Sequence, residues 1–399
     1  MAANPNDPAP KPRPPNRPPV TPRPARATWR GWALSVGLSL LVGLGAAWLL
    51  AYFVLGVSPA FLIGLVRAAA SPRRVPADVT APPGVRVTAW AQGLTTPTSL
   101  AFGPDGRLYV AELTGQVLAL ADRDGDGTAE TRVTFASGLD SPLGLAFYGS
   151  DLYVGRRGGV TRLTDTNGDG VADQSVVIID GLPALRHQTD GLAFGPDGRL
   201  YISQGSTSDR GETGILNREA SILVAGRDGS GLRVFASGTR NPYDLAFFPG
   251  SSTLFATDNG RDVPASGVPD ELNQIIDGGN YGWPDCWGAN GGSNCSGTQP
   301  PVVELPAHAA AGGLAFYTGD LFPEWRNNAF VAFYGANSGD PNIGRNVERI
   351  ELSQSGGAWH GSLHEFAAGF DRPLDVTVGP DGALYVADFG AGVIYRFGK

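Results

Sequence analysis

Charge is what this chain has least of. Only 17% of its 399 residues are Asp, Glu, Lys or Arg, too few for a coiled coil or a long acidic disordered chain. The charge present has the wrong sign for nucleic acid. The formal net is −8, whereas phosphate binding needs a basic face. Sulfur and imidazole are scarce too, with two cysteines, one methionine and four histidines. No further Cys or His pair accompanies the two cysteines, which disfavours a zinc site. Long helical periodicity is also missing between apolar runs, which argues against a doubly wound fold. Glycine, by contrast, reaches 57 residues and proline 32, the makings of many short strands and turns.

The few charges are unevenly placed. Residues 1–30 carry Lys11, Arg13, Arg17, Arg23, Arg26 and Arg30 against Asp7, a net of +5. Between Arg30 and Arg67 there is none, and from Arg67 onward 24 basic residues face 37 acidic ones, a net of −13. Residues 1–30 therefore read as a disordered Pro/Arg-rich tail. Residues 31–56 read as one transmembrane helix, because Trp32 to Leu55 exceeds the roughly 20 apolar residues a span needs, with Trp32, Trp48 and Tyr52 as interfacial anchors. The basic tail places the N-terminus in the cytoplasm and the body outside it. Residues 57–84 form a linker, Pro-rich towards its end, and residues 85–399 the folded body. In an oxidising compartment, Cys286 and Cys295 of "DCWGANGGSNC" are expected to pair as a disulfide closing a small loop.

From Val85 the chain repeats. Six segments align on an apolar strand centred at Ala101, Ala146, Ala193, Ala246, Ala315 and Thr377, spaced by 45, 47, 53, 69 and 62 residues. Each has two runs of β-formers around a turn, which is Gly-Pro-Asp-Gly in the first, third and sixth: proline presets φ and glycine accepts a positive one. A "FASGL" or "FAAGF" phrase recurs at Phe135, Phe235 and Phe366. Repeats of this length and content make an all-β, six-bladed propeller. Its last blade is expected to close by pairing "GVRVTAW" near Val85 with the C-terminal "GVIYRFGK".

Two acidic loops, "DRDGDGTAE" and "DTNGDGVAD", place Asp122, Asp124 and Asp126, and Asp165, Asn167 and Asp169, at the alternate spacing of a calcium loop. Neither has the glutamate at position twelve nor flanking helices, so an EF-hand is excluded. Structural calcium and a metal-free Asp/Gly turn both remain open here.

Function in a repeat scaffold belongs where a unit departs from its siblings. Blade three offers "RHQTDG", blade four "TRNPYD" and blade six "FDRPLD", so His187, Arg240, Asn241 and Arg372 should project towards one axial mouth. An imidazole, two guanidiniums and an amide suit an anionic, oxygen-rich ligand with a general base beside it. After blade four comes a long insertion, "ATDNGRDVPASGVPDELNQIIDGGNYGWPDCWG". It is rich in carboxylates and amides and able to hold calcium near such a ligand.

Taken together, "RHQTDGLAFGPDGRLYISQGS", "FASGTRNPYDLAF", "TDNGRD…PDELNQIIDGGNYGWPDC", "GGLAFYTGDLFPEWRNNAFVAF" and "RPLDVTVGPDGALYVADFGAGVIYR" resemble the PQQ-dependent sugar dehydrogenases, especially the L-sorbosone dehydrogenase-like branch. The resemblance runs from about Val85 to Lys399. It implies PQQ in the mouth with calcium bridging it to protein. His187 matches the family's general base, which takes the substrate hydroxyl proton as hydride passes to the quinone. Arg240 and Asn241 match residues that polarise the quinone oxygens, and Arg372 one that contacts the cofactor. Asn259, Gly260, Arg261 and Asp270 match the calcium neighbourhood, with Tyr281 beside it.

Four positions depart from the pattern. Ser206, counted among the cofactor's surroundings, stands where glucose dehydrogenases of the family set an aspartate behind the histidine. Arg261 replaces a proline, Leu374 an arginine, and Tyr334 the histidine of sorbosone-type relatives. The expected activity is oxidation of a sugar or sugar-derived aldehyde, with electrons passed to a membrane quinone or cytochrome. A calcium-dependent lactonase-type propeller or a non-catalytic propeller binding a carbohydrate or other ligand are the alternatives.

Overall fold

The computed structural model describes residues 79–212, 215–262, 267–336 and 343–399. The tail, the expected transmembrane segment and most of the linker lie outside the described residues. Among the described residues no helix is long and apolar enough to cross a membrane.

The six phases of the repeat become six four-stranded antiparallel sheets. The innermost strands, Pro97–Phe102, Gly144–Tyr148, Thr189–Phe194, Pro242–Phe247, Ala311–Phe316 and Pro373–Val378, neighbour one another in a closed ring. The last blade takes its outer strand, Arg86–Ala91, from the start of the body and pairs it with Val393–Gly398, in the register Arg86 to Gly398 and Val87 to Phe397. Both ends of the propeller thus meet in one blade, as the sequence suggested.

The core lies between blades. Six apolar clusters occupy the six interfaces. In each, an aromatic or large aliphatic from a second strand enters the neighbour's inner strand. Tyr109 meets Phe147 edge-on at 4.9 Å, Tyr153 meets Phe194 at 4.8 Å, and Tyr201 meets Phe247 at 5.1 Å. Edge-to-face geometry sets a ring's positive rim on its neighbour's negative face. The repeated phenylalanine phrase has the same purpose: Phe135 packs on Tyr109 and Phe235 on Tyr201.

Blade four carries the insertion. Its outer strand is only Val303–Leu305, and a minimal hairpin, Cys286–Trp287 with Gly291–Gly292, lies in the extra chain. Cys286 and Cys295 are disulfide-bonded, with Cα atoms 5.2 Å apart.

Because inner strands run from the lips to the first hairpin turn, the turns between third and fourth strands lie on the face opposite the lips. Both acidic loops are such turns. In the first, Asp122 accepts Gly125 N at 2.7 Å and Gly127 N at 2.9 Å. Carboxylate oxygens of Asp122, Asp124 and Glu130 come within 4.8 Å of one another. Asp126 turns instead to Thr128 N, at 2.8 Å. In the second, Asp165 accepts Gly168 N and Gly170 N, and Asn167 Nδ2 donates to Asp169 at 3.1 Å and to Asp173 at 3.0 Å. Among the described residues no three-carboxylate cluster forms in that loop. Both loops are remote from the mouth.

Candidate active site at the propeller mouth

The lip of blade three is folded back on the end of its own second strand. His187 N donates to Ser206 O at 3.1 Å, and Gly205 N to Gln188 O at 2.9 Å. A Cβ on Gly205 would sit 2.4 Å from His187 Cβ, so only glycine lets the histidine lie there. His187 Nδ1 is 3.0 Å from the Ser206 carbonyl oxygen. A carbonyl can only accept, so Nδ1 carries the proton and Nε2 keeps a free lone pair. Ser206 Oγ, 3.2 Å from Nδ1, gives its own hydrogen to Ser208 O at 2.7 Å. Burial, then the nearby Arg240 and Arg186, hold the imidazole well below its ordinary pKa. His187 is therefore neutral at physiological pH.

Blade four joins this lip through Ser206 N, which donates to Arg240 O at 2.8 Å. Arg240 is only 4% exposed. Its Nη2 is 2.7 Å from Asp209 Oδ1, its Nε 3.3 Å from Asp209 O, and its Nη1 3.1 Å from Asn259 O. Asp258 fixes the lip backbone by accepting Arg240 N at 3.0 Å and Asn241 N at 2.7 Å. The same device appears in blade six, where Asp388 accepts Asp371 N and Arg372 N, both at 2.8 Å. Arg372 Nη1 then reaches Gly335 O and Ala336 O of blade five, with its guanidinium 4.9 Å above the Tyr334 ring. His187, Arg240 and Asn241 are thus gathered on neighbouring lips, while Arg372 stands on the blade opposite His187.

The remaining site residues expected from the sequence fall differently. Ser206 is fully buried and lies behind the histidine, so it orients the base and has no surface to give a cofactor. Tyr281 spends its hydroxyl on backbone, donating to Gln274 O at 2.5 Å and accepting Ile276 N at 2.9 Å. Its side chain is a wall, with no free oxygen for a metal. Asp270, also buried, accepts Gly260 N at 2.9 Å and Ala311 N at 3.3 Å. It supports the loop, and burial pushes its pKa up to about 7. Arg261 lies 3.6 Å above the Trp287 ring.

Tyr281 and Arg261 border a small cleft whose walls also include Asp258, Asn259, Gly260, Glu271 and Trp287. Burial and the adjacent Glu271 raise Asp258 well above the carboxylate range, and burial raises Glu271 as well. Asn259 Oδ1 is buried without a partner. Two carboxylates and an orphaned amide oxygen are hard-oxygen donors of the kind calcium takes. The donor set fits that ion. On the lip, Asn241 Oδ1 is likewise buried and unpaired. That oxygen can only accept a hydrogen bond, whereas the arginine N–H groups suit an oxygen-rich anion such as PQQ. A larger cleft of about 460 Å³, lined by Tyr148, Arg162 and Arg227 among others, lies on the opposite face and holds no lip residue.

Sequence reading missed Asp209 and Arg186, and saw in Asp258 and Glu271 only members of a crowded insertion. A signal for the supports was present: the second strands of four blades end in Glu112, Gln204, Asp258 and Asp388. A polar residue closing an otherwise apolar strand is where a lip backbone needs an acceptor.

Comparison with known proteins agrees with the fold. An aldose sugar dehydrogenase of Escherichia coli is 30% identical over 219 residues, 49% of this chain and 55% of that protein. The chain spans about half the length of the curated relatives it matches. The holo PQQ domain of a pyranose dehydrogenase from Coprinopsis cinerea superposes with a TM-score of 0.71 at 17% identity, covering 83% of this chain and 99% of that one. The PQQ-bound aldose sugar dehydrogenase of Streptomyces coelicolor gives 0.63 at 22% identity, covering 80% and 99%. At these identities the two structures speak for the fold alone. The family model for glucose/sorbosone dehydrogenases matches residues 94–396, the whole ring of blades but for the closing strand, and the chain belongs to that family.

Proposed function

We propose that the protein is a membrane-anchored, extracytoplasmic dehydrogenase that oxidises a sugar or sugar-derived aldehyde, of aldose or L-sorbosone type, with PQQ and calcium. The observation that carries this reading is a neutral histidine whose Nε2 is free on a lip beside Arg240 and Asn241. Bound PQQ would supply a quinone able to accept the substrate's hydride. His187 Nε2 accepts the substrate hydroxyl proton, and its Nδ1–H stays on Ser206 O, so the ring gains charge without turning. The guanidiniums of Arg240 and Arg372 offer N–H groups to developing negative charge. Asp258, Glu271 and Asn259 Oδ1 would hold calcium beside them. The names of the relatives, aldose sugar dehydrogenase above all, support the substrate class. The uncharged segment 31–56 supports the anchor and a membrane quinone or cytochrome as electron acceptor.

The test is dye-linked oxidation across a panel of aldoses, ketoses and aldehydes by the detergent-purified full-length chain, reconstituted with PQQ and calcium. We expect PQQ-dependent turnover that His187→Ala lowers by about 10²–10⁴-fold while PQQ stays bound. Absence of turnover and of any PQQ absorbance change in the wild type sinks the reading.

A further inference from the structure

Arg240 is set in place by one carboxylate that no family motif singled out. Asp209 lies three residues beyond Ser206, in the connection between the second and third strands of blade three, and is 5% exposed. Its Oδ1 takes Arg240 Nη2 at 2.7 Å and also Asp262 N, from the blade-four loop, at 2.9 Å. Its main-chain oxygen takes Arg240 Nε at 3.3 Å and Trp283 Nε1 at 3.1 Å. One residue of blade three therefore grips the guanidinium, the loop bearing the calcium neighbourhood, and the insertion behind it.

The charges around Asp209 alternate. Arg186, the residue before the histidine, pairs with Asp262 and lies 3.9 Å from Asp209 Oδ1. Asp262 is in turn 3.5 Å from Arg240 Nη2 but is half exposed. Of Arg240's five N–H donors, Asp209 and Asn259 O take three, leaving the others for a ligand. A buried guanidinium is costly without a partner, and Asp209 is its only buried carboxylate partner among the described residues.

We propose that Asp209 is the positioning residue of the site: it locks the Arg240 guanidinium in the orientation that receives the cofactor's anionic oxygens, and ties the lip of blade three to the blade-four loop. This rests on the PQQ reading above. The side-chain and main-chain contacts separate cleanly, because Asp209→Asn keeps both bonds of the carbonyl and the shape of the residue while removing the charge.

Two measurements on the detergent-purified full-length chain test it. First, PQQ affinity is read by quenching of tryptophan fluorescence in the presence of calcium. Asp209→Asn is expected to weaken PQQ by about 10–100-fold, by analogy with the loss when a partner orienting a metal ligand is removed, and Asp209→Glu to recover most of it. Second, with no PQQ present, phenylglyoxal modification of Arg240 is followed by peptide mass spectrometry. Arg240 should resist the reagent in the wild type and react in Asp209→Asn, both assayed well below the lower of the two thermal midpoints so that unfolding does not expose it. Equal PQQ affinity in wild type and Asp209→Asn overturns the proposal, as does ready modification of wild-type Arg240. A wild type that binds no PQQ defeats the dehydrogenase reading instead, and the phenylglyoxal contrast still decides the role of Asp209.

Discussion

His187 is a base whose tautomer is fixed by backbone. A carboxylate behind an imidazole raises its pKa by stabilising the charged ring; the Ser206 carbonyl orients the ring with only a partial charge. Burial and two arginines then pull the pKa down, so the base stays deprotonated through neutral pH and is lost only as pH falls through that lowered value. Ser206→Asp should therefore move the acid limb of kcat/KM upward by about one pH unit or more. The pH–rate profile of the reconstituted variant checks it, and an unmoved limb would mean that Ser206 does not govern the base. His187, Arg240 and Arg372 were legible because each breaks a repeat seen six times. Asp209 was not, since its connection, 205–220, is far longer than those of blades one, two and six and offers no matching position in them, and its partners Arg240 and Asp262 are 31 and 53 positions away. Ser206 and Tyr281 were misplaced for a related reason. Sequence shows where a side chain begins, and only the fold shows that one hydroxyl is spent on Ser208 O and the other on Gln274 O.

At the scale of the element, the blade hairpin was the most readable part of the chain, because its turn chemistry is local. Asp105 of the first Gly-Pro-Asp-Gly turn accepts Arg107 N at 3.1 Å, pairs with Arg107 Nε at 2.6 Å and accepts Tyr109 OH at 3.0 Å. Asp197, Arg199 and Tyr201 repeat this arrangement in blade three. In blade six the arginine is Arg396, from the third strand, reaching Asp381 at 2.8 Å. The sequence signature hides that substitution of source. Closure is also an element-scale device. The strand Arg86–Ala91 covers the edge of Val393–Gly398, and Trp90, 4% exposed, packs on Tyr385 at 5.3 Å. Burying a side chain of this kind contributes about 1.5–3 kcal/mol or more, and the strand's ladder bonds add to it. A chain beginning at Gln92 should accordingly lose cooperative thermal unfolding, followed by circular dichroism, whereas one beginning at Asp78 should keep it. Equal midpoints for the two would show that the ring closes without its borrowed strand.

The ring as a whole is laced through its centre by buried aspartates on the inner strands. Asp244 of blade four lies against Gly191 of blade three, where a Cβ would come within 2.3 Å of its Oδ1, and accepts Leu314 N of blade five at 2.8 Å. Asp375 of blade six is packed in the same way against Gly313 of blade five and accepts Leu100 N of blade one at 2.6 Å. Each carboxyl bridges three consecutive blades, which is why small residues precede it round the ring. Burial pushes Asp244 up to about 7 from its usual 3.8. Burial and Asp244 together raise both Asp190 and Asp375. The sign of the consequence follows from linkage. Below about pH 4 the group is protonated in both folded and unfolded chains and costs nothing. Between about 4 and 7 the unfolded chain gives up the proton while the folded one keeps it, so stability falls as pH rises. Above 7 both are ionised and the loss is complete. Asp244→Asn keeps an oxygen for Leu314 N and has no proton to lose. Across urea titrations from pH 4 to 8, the wild-type unfolding free energy should decline with pH, while the variant's declines less and exceeds it at the alkaline end. Parallel declines would remove Asp244 from the account and leave the inner ring's pH response to Asp190 and Asp375.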